Sequence, residues 1–215
     1  MRHGAALRVG LAVMALVTLL SCAAGTRLTS SWAEPTAAGR SFQKFCVVAI
    51  AQRPPRRRMF EDMFMNALTR RGLSAVSSYT FAEGRLDKEA AKAKLEEIGA
   101  DAVIVTRLVD QQSIREYYPP TTVAYAAPSA YYGDWYGYYA LGTSFTSTPG
   151  YIVENKVYRL ETNLYDVAGE KLLWTGLTEA TLSEGDTPRD KVKTVITAVM
   201  DDLARHKLLP PAKRK

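Results

Sequence analysis

The sequence predicts an α/β domain with the order β-α-β-α-β, followed by an antiparallel hairpin and a C-terminal helix around one mixed sheet. Three observations carry the prediction. Short apolar runs alternate with amphipathic segments between residues 42 and 109, the pattern of βαβ units and a parallel sheet. Residues 157–182 then change to a period of two on either side of a turn, as a hairpin does. Residues 187–203 carry capping signals ahead of an apolar stripe, as an amphipathic helix does.

The globular pattern begins at Phe42. Phe45 to Ala51 is continuously apolar, which suits a strand covered on both faces. Pro54 and Pro55 end it. Over 56–71, Phe60, Met63, Phe64, Ala67 and Leu68 recur at helical spacing. Arg70 and Arg71 close that helix and Gly72 follows, a C-terminal signal. Leu73 to Phe81 reads as a second strand. Asp87 caps a helix carrying Ala91, Leu95 and Ile98, closed by Gly99, and Val103 to Val109 is the next strand.

Tyr158, Leu160, Thr162 and Leu164 alternate with Arg159, Glu161 and Asn163. Residues 166–170 turn the chain, and Lys171 to Leu182 returns as the second hairpin strand. Thr187 is the N-cap of the last helix, Pro188 its first residue and Asp190 its first-turn acid, each suited to a helix start. Val192, Val195, Ile196, Val199 and Leu203 form its stripe. Pro210 and Pro211 stop it, and residues 210–215 are a basic tail.

Between Asp110 and Gly150 the composition changes. Tyr117, Tyr118, Tyr125, Tyr131, Tyr132, Tyr136, Tyr138 and Tyr139 gather with Trp135 among glycines and prolines. A connection of about forty residues is long for a compact domain, and such loops are usually functional or disordered. Tyr and Trp give rigid contact area with a polar handle, which suits protein surfaces and sugar rings. Three readings stand: a recognition loop for a partner or envelope glycan, a mobile low-complexity insertion, and a self-packed hairpin over the sheet. Under the first, Tyr131, Tyr132, Trp135, Tyr136, Tyr138 and Tyr139 are the partner-binding candidates.

The start of the chain addresses it out of the cytoplasm. Arg2 and Arg8 precede twelve uncharged residues, Val9 to Leu20, and Ser21-Cys22 follows. This is the layout of a secretory leader. Twelve helical residues reach only about 18 Å, short of the roughly 30 Å hydrocarbon layer. Leu19-Leu20-Ser21-Cys22 resembles the lipobox of bacterial lipoproteins. That resemblance implies acylation of Cys22 and removal of residues 1–21, while an ordinary leader cut at Ala23 or Ala24 is the alternative. Two or three acyl chains, at roughly 0.8 kcal/mol per buried methylene, anchor a protein stably. Residue 23 is Ala rather than Asp, which resembles the outer-membrane sorting choice of enteric-type bacteria.

Residues 22–41 are rich in Ser, Thr, Ala and Gly and read as lipidated Cys plus flexible tether. Trp32 either dips into the membrane interface or covers the domain. The domain itself is 42–209, one unit with its insertion.

Formal net charge is +6, or +4 once Arg2 and Arg8 leave with the leader, too mild to indicate nucleic acid. Cys46 is the one other cysteine and sits in an apolar strand, where a small core residue is expected rather than a nucleophile. No G-x-S-x-G, H-E-x-x-H or P-loop occurs in the sequence, so neither a catalytic residue, a metal nor a cofactor is expected. Arg56, Arg57 and Arg58 open the first helix. They read first as a solvated basic turn and only weakly as an anion site, because helix N-termini favour anions but prolines supply no phosphate cradle.

Gly99-Ala100-Asp101-Ala102-Val103-Ile104-Val105, the aromatic-glycine insertion, Leu164-Tyr165-Asp166-Val167 and Lys171-Leu172-Leu173-Trp174-Thr175-Gly176 together carry a resemblance. The chain resembles a family of small bacterial envelope lipoproteins whose function is uncharacterised. More distantly, it is similar to the periplasmic domains of curli-secretion and peptidoglycan-synthase-activator lipoproteins. The resemblance covers residues 42–209 and implies a non-enzymatic binding, assembly or regulatory role at the outer membrane, facing the periplasm. An envelope protein is the implied partner, and peptidoglycan, held by a glycan-binding module, is the alternative.

Overall fold

The computed structural model describes residues 25–84, 86–124 and 145–210. One mixed six-stranded sheet, three helices and a separate two-stranded ribbon account for them. The strands are β1 (Thr26–Ala33), β2 (Lys44–Ile50), β3 (Ser74–Ser77), β4 (Ala102–Tyr118), β7 (Tyr151–Asp166) and β8 (Leu172–Leu182), with β5 (Thr121–Ala124) and β6 (Phe145–Thr148) forming the ribbon. The helices are α1 (Pro54–Arg70), α2 (Lys88–Glu97) and α3 (Pro188–Arg205). The sheet order is β1-β8-β7-β4-β2-β3; β2 runs parallel to β3 and β4, and the remaining neighbours are antiparallel. The α/β class with its mixed sheet, hairpin and closing helix is therefore the observed fold.

Alternation places the core. Phe45, Val47, Ala49, Ala102, Ile104, Leu164 and Trp174 point to the face that α1 and α3 cover. From the helices come Phe60, Phe64, Leu68, Val195, Val199 and Leu203. Pro54 lies at the first helical position of α1, so the two prolines that end β2 also open the helix, two residues before the expected start. A missing N–H costs nothing there. Asp87 accepts from the Ala90 amide and Thr187 from the Asp190 amide, as capping residues do.

Within the expected strand Leu73 to Phe81, only Ser74–Ser77 pairs, and Ser78–Thr80 is a 3-10 turn. Buried Glu61 diverts the chain there by accepting from the Tyr79 amide at 3.0 Å and the Ser78 hydroxyl at 2.8 Å.

Two boundaries depart from expectation. The tether reading of 22–41 fails from Thr26 onward, because Thr26–Ala33 is the edge strand β1, paired with β8 from Thr26↔Ala180 to Ala33↔Trp174. Glu34 then donates its amide to the Leu173 carbonyl, and Ala37 is buried in the core. An edge strand needs few inward apolar residues, and here Leu28 and Ala33 serve. The hydroxyl-rich remainder therefore looked like linker. The body starts at Thr26 rather than Phe42, and Trp32 lies half-exposed on β1 opposite Thr175.

The second departure concerns 110–150. Asp110 to Tyr118 continues β4, and residues 121–124 and 145–148 are strands as well. Of these paired parts, Asp110 to Tyr118 lengthens the sheet, and 121–124 with 145–148 makes a separate self-paired ribbon. Segment 125–144, with Tyr131, Tyr132, Trp135, Tyr136, Tyr138 and Tyr139, lies outside the described residues, as do Cys22 and residues 211–215.

Candidate functional site

The two longest strands build the candidate site. β4 has 17 residues and β7 has 16, paired antiparallel from Ala102↔Asp166 to Tyr118↔Tyr151. Their neighbours are shorter. β2 ends at Ile50 opposite Arg107, and β8 ends at Leu182 opposite Lys156. Beyond that level Ser113–Tyr118 and Tyr151–Lys156 form a two-stranded arm, and the β5–β6 ribbon follows it in the chain.

Apolar and aromatic side chains on the arm face solvent. Tyr117 is 63% exposed and its cross-strand partner Ile152 is 65% exposed. Ile114 is half-exposed, and Tyr118 stacks on Tyr151 with ring centroids 5.2 Å apart. Tyr117 and Tyr118 belong to the cluster legible in the sequence. Ile114, Tyr151 and Ile152 do not. No apolar alternation in 113–118 or 151–156 marks them, and the pairing of the two strands is what brings them together.

Charge pairs hold the arm's root. Ser113 donates to Glu154 at 2.6 Å, and Arg115 lies 3.4 Å from the same carboxylate. Below it an alternating row crosses four strands: Asp110, Arg159, Glu179 and Arg27, with contacts of 3.2, 3.1 and 2.9 Å. The hydroxyl of Ser113, then the charge of Arg115, hold the Glu154 carboxyl below its ordinary 4.5. Hydrogen bonds from Arg159 and then Arg27 lower Glu179 likewise.

A carboxylate whose pKa falls on folding stabilises the fold above its unfolded value and loses that contribution as pH drops through the folded value. The melting temperature should therefore stay flat from pH 7 to 5 and decline below 4.5, with Glu179→Gln flattening the decline; thermal scans across pH check this.

Arg56, Arg57 and Arg58 do not form a joint anion site. Arg57 is turned inward: Nε donates to Glu61 at 2.9 Å, Nη2 to the Ser78 hydroxyl at 2.8 Å and Nη1 to the Glu83 carbonyl at 3.1 Å. All three guanidinium nitrogens are engaged inside the molecule. Arg58 lies 5.5 Å over the Tyr79 ring, and Arg56 alone points to open solvent without an ion pair among the described residues. The carboxylate one turn into α1 offsets the clash of Arg57 with the helix dipole. Sequence spacing showed the three arginines but not that Glu61 would be buried beneath one of them.

A more cationic surface lies elsewhere. The groove between α1 and α3 encloses about 930 Å³, and Arg70, Arg71, Arg189 and Lys193 line it against a single carboxylate, Asp190. Arg71 is held by Asp201 at 2.6 Å.

Cys46 is buried, and burial first, then the Glu61 charge, push its thiol up to about 12. A thiol this far from ionising is a packing group. Iodoacetamide at pH 8 should leave Cys46 unmodified in the folded protein and alkylate it fully in denaturant, as mass spectrometry will read. Among the described residues there is no cluster of three or more His, Cys, Asp or Glu able to hold a metal ion.

No protein-family model matches the chain, and no curated protein matches it. Among solved structures, the PelC dodecamer from Paraburkholderia phytofirmans is similar at 12% identity and a TM-score of 0.44, covering 81% of this chain and 94% of that one. Lipoprotein GNA1162 from Neisseria meningitidis is similar at 11% identity and a TM-score of 0.43, covering 76% of this chain and 99% of its own. Similarity at this level bears on neither family nor function.

Proposed function

We propose that the chain is a lipid-anchored, non-enzymatic accessory module of the bacterial cell envelope. In this reading it is acylated at Cys22, faces the periplasm from the outer membrane, and uses the β4–β7 arm as its contact surface for a binding or assembly partner. The arm itself is the observation that supports the reading. A two-stranded ribbon is marginally stable in water. Here one face carries exposed Tyr117 and Ile152 and the other carries Ile114 with the stacked Tyr118 and Tyr151, and exposed apolar groups of this kind mark an interaction site.

Replacing Ile114, Tyr117 and Ile152 together by Ser tests it. Exposed substitutions of this kind usually change stability within about 0.5 kcal/mol each, so the fold survives by circular dichroism. Photocrosslinks from position 118 in intact cells are expected to be lost, while a control at Glu96 on α2 is unaffected. Crosslinks that persist unchanged in the triple variant would overturn the arm as contact surface. Sedimentation with purified peptidoglycan, abolished by the same substitutions, would make the partner a glycan.

A further inference from the structure

We infer that the arm docks on the headgroup layer of the same bilayer that holds the lipid on Cys22. This rests on the reading of Cys22 as the acylated N-terminus and names what the arm meets.

The register sets the geometry. The Thr181 amide donates to the Gly25 carbonyl at 2.5 Å, and Thr181 is level with Val157 and, through it, with Gln112. The chain therefore enters the fold level with the root of the arm. It is pinned there, because the Thr26 and Thr194 hydroxyls are hydrogen-bonded at 2.6 Å across to α3. β1 runs from this level toward the far end of the sheet, and the arm leaves in the opposite sense from the same end.

Two lengths then compete. From Gly25 back to Cys22 are three residue steps, which reach about 11 Å at most. From Gln112 to Tyr118 are six strand steps of roughly 3.3 Å, about 20 Å before any twist is allowed for. Twist between successive strands swings the arm away from the direction of β1, but does not move it to the other end of the sheet. A bilayer within about 11 Å of Gly25 meets an arm that extends beyond Gly25 by more than the leash, unless the body tips over to present its opposite end.

Surface chemistry decides against tipping. The opposite end carries the Arg40–Asp166 and Lys88–Glu170 ion pairs, which lose hydration against a membrane. The arm presents Ile114, Tyr117, Tyr118, Tyr151 and Ile152, and tyrosine with its apolar ring and polar tip favours the membrane–water interface. The arm's charges are Arg115, Glu116, Glu154 and Lys156, of which Arg115 and Glu154 are paired with each other. No helix of the described residues is long and apolar enough to cross a membrane.

The test uses the acylated full-length product carrying Ile152→Cys, labelled with an environment-sensitive fluorophore and reconstituted into phosphatidylethanolamine–phosphatidylglycerol vesicles. Cys46 is buried and Cys22 is blocked by lipid, so the label goes to one place. A blue shift with quenching by brominated phospholipid is expected at Ile152→Cys and absent at Glu96→Cys on α2. Water-like emission at both positions would overturn the inference. If photocrosslinks in cells then run from position 118 to a protein, the arm remains a contact surface and only the bilayer assignment falls. An unmodified Cys22 in the mass spectrum removes the anchor and this inference with it, independently of the fluorescence.

Discussion

Trp174→Ala is expected to destabilise the domain by about 3–5 kcal/mol, the range for emptying an aromatic site in a packed core. Total stabilities of about 5–15 kcal/mol make that a large share. Trp174 is fully buried, and its indole N–H donates to Asp202 Oδ2 at 2.8 Å across the interface of β8 with α3. Asp202 is buried as well. Arg205 lies 2.6 Å from its other oxygen, although that oxygen has no partner of hydrogen-bond geometry, and His206 lies 3.6 Å away.

Truncation thus opens a cavity and strips a buried carboxylate of its best-placed donor. Trp174→Phe weights the second effect, because it keeps most of the volume while removing the N–H donor, whose loss costs about 1–3 kcal/mol. Gly176→Ala should act through the same ring, since a Cβ at Gly176 would fall inside contact distance of the six-membered part of the indole. Urea unfolding followed by far-ultraviolet circular dichroism measures all three. A cost below 1 kcal/mol for Trp174→Ala would contradict the packing described here.

The second large effect is at Arg57. Removing one partner of a buried ion pair costs about 3–5 kcal/mol, because the other charge stays buried and uncompensated. Glu61 is completely buried. It accepts from the Ala49 amide at 3.0 Å, the Arg57 Nε, the Ser78 hydroxyl and the Tyr79 amide. One carboxylate therefore ties the end of β2, the first turns of α1 and the 3-10 turn after β3 together.

Arg57→Ala leaves this carboxylate with three neutral donors and no counter-charge. Glu61→Ala orphans all four donors and should cost at least as much. Arg56→Ala and Arg58→Ala are exposed controls, expected within about 0.5 kcal/mol of the parent by the same unfolding experiment. Equal, small effects at 56, 57 and 58 would restore the solvated basic turn.

The elements that announced themselves in the sequence are those whose cause is local. Asp87 and Thr187 cap helices because their side chains reach amides three residues on, and the 3.6-residue spacing of Val192, Val195, Ile196 and Val199 follows from one helix face meeting a sheet. The Trp174-x-Gly176 pair was visible as a motif, but its reason is the close approach of the indole to Gly176. The arm was half legible. Its tyrosines stood out by composition, whereas its strands read as loop because neither face of Asp110 to Tyr118 is buried and no apolar alternation marks it.

Sequence by itself determined the α/β order, the helix starts to within two residues, and the packing character of Cys46, because each depends on neighbours along the chain. Only the tertiary structure decided that Thr26–Ala33 is a strand, that Arg57 is locked onto Glu61, and that the arm and the chain's entry point share one end of the sheet. The first and third are set by partners far away in sequence, the free edge of β8 and a register running across four strands. Arg57 and Glu61 are one helical turn apart, but Ala49, Ser78 and Tyr79 from other elements close over the carboxylate. A pairing between distant segments leaves no periodicity in either one alone, so it becomes visible only when the chain has closed on itself.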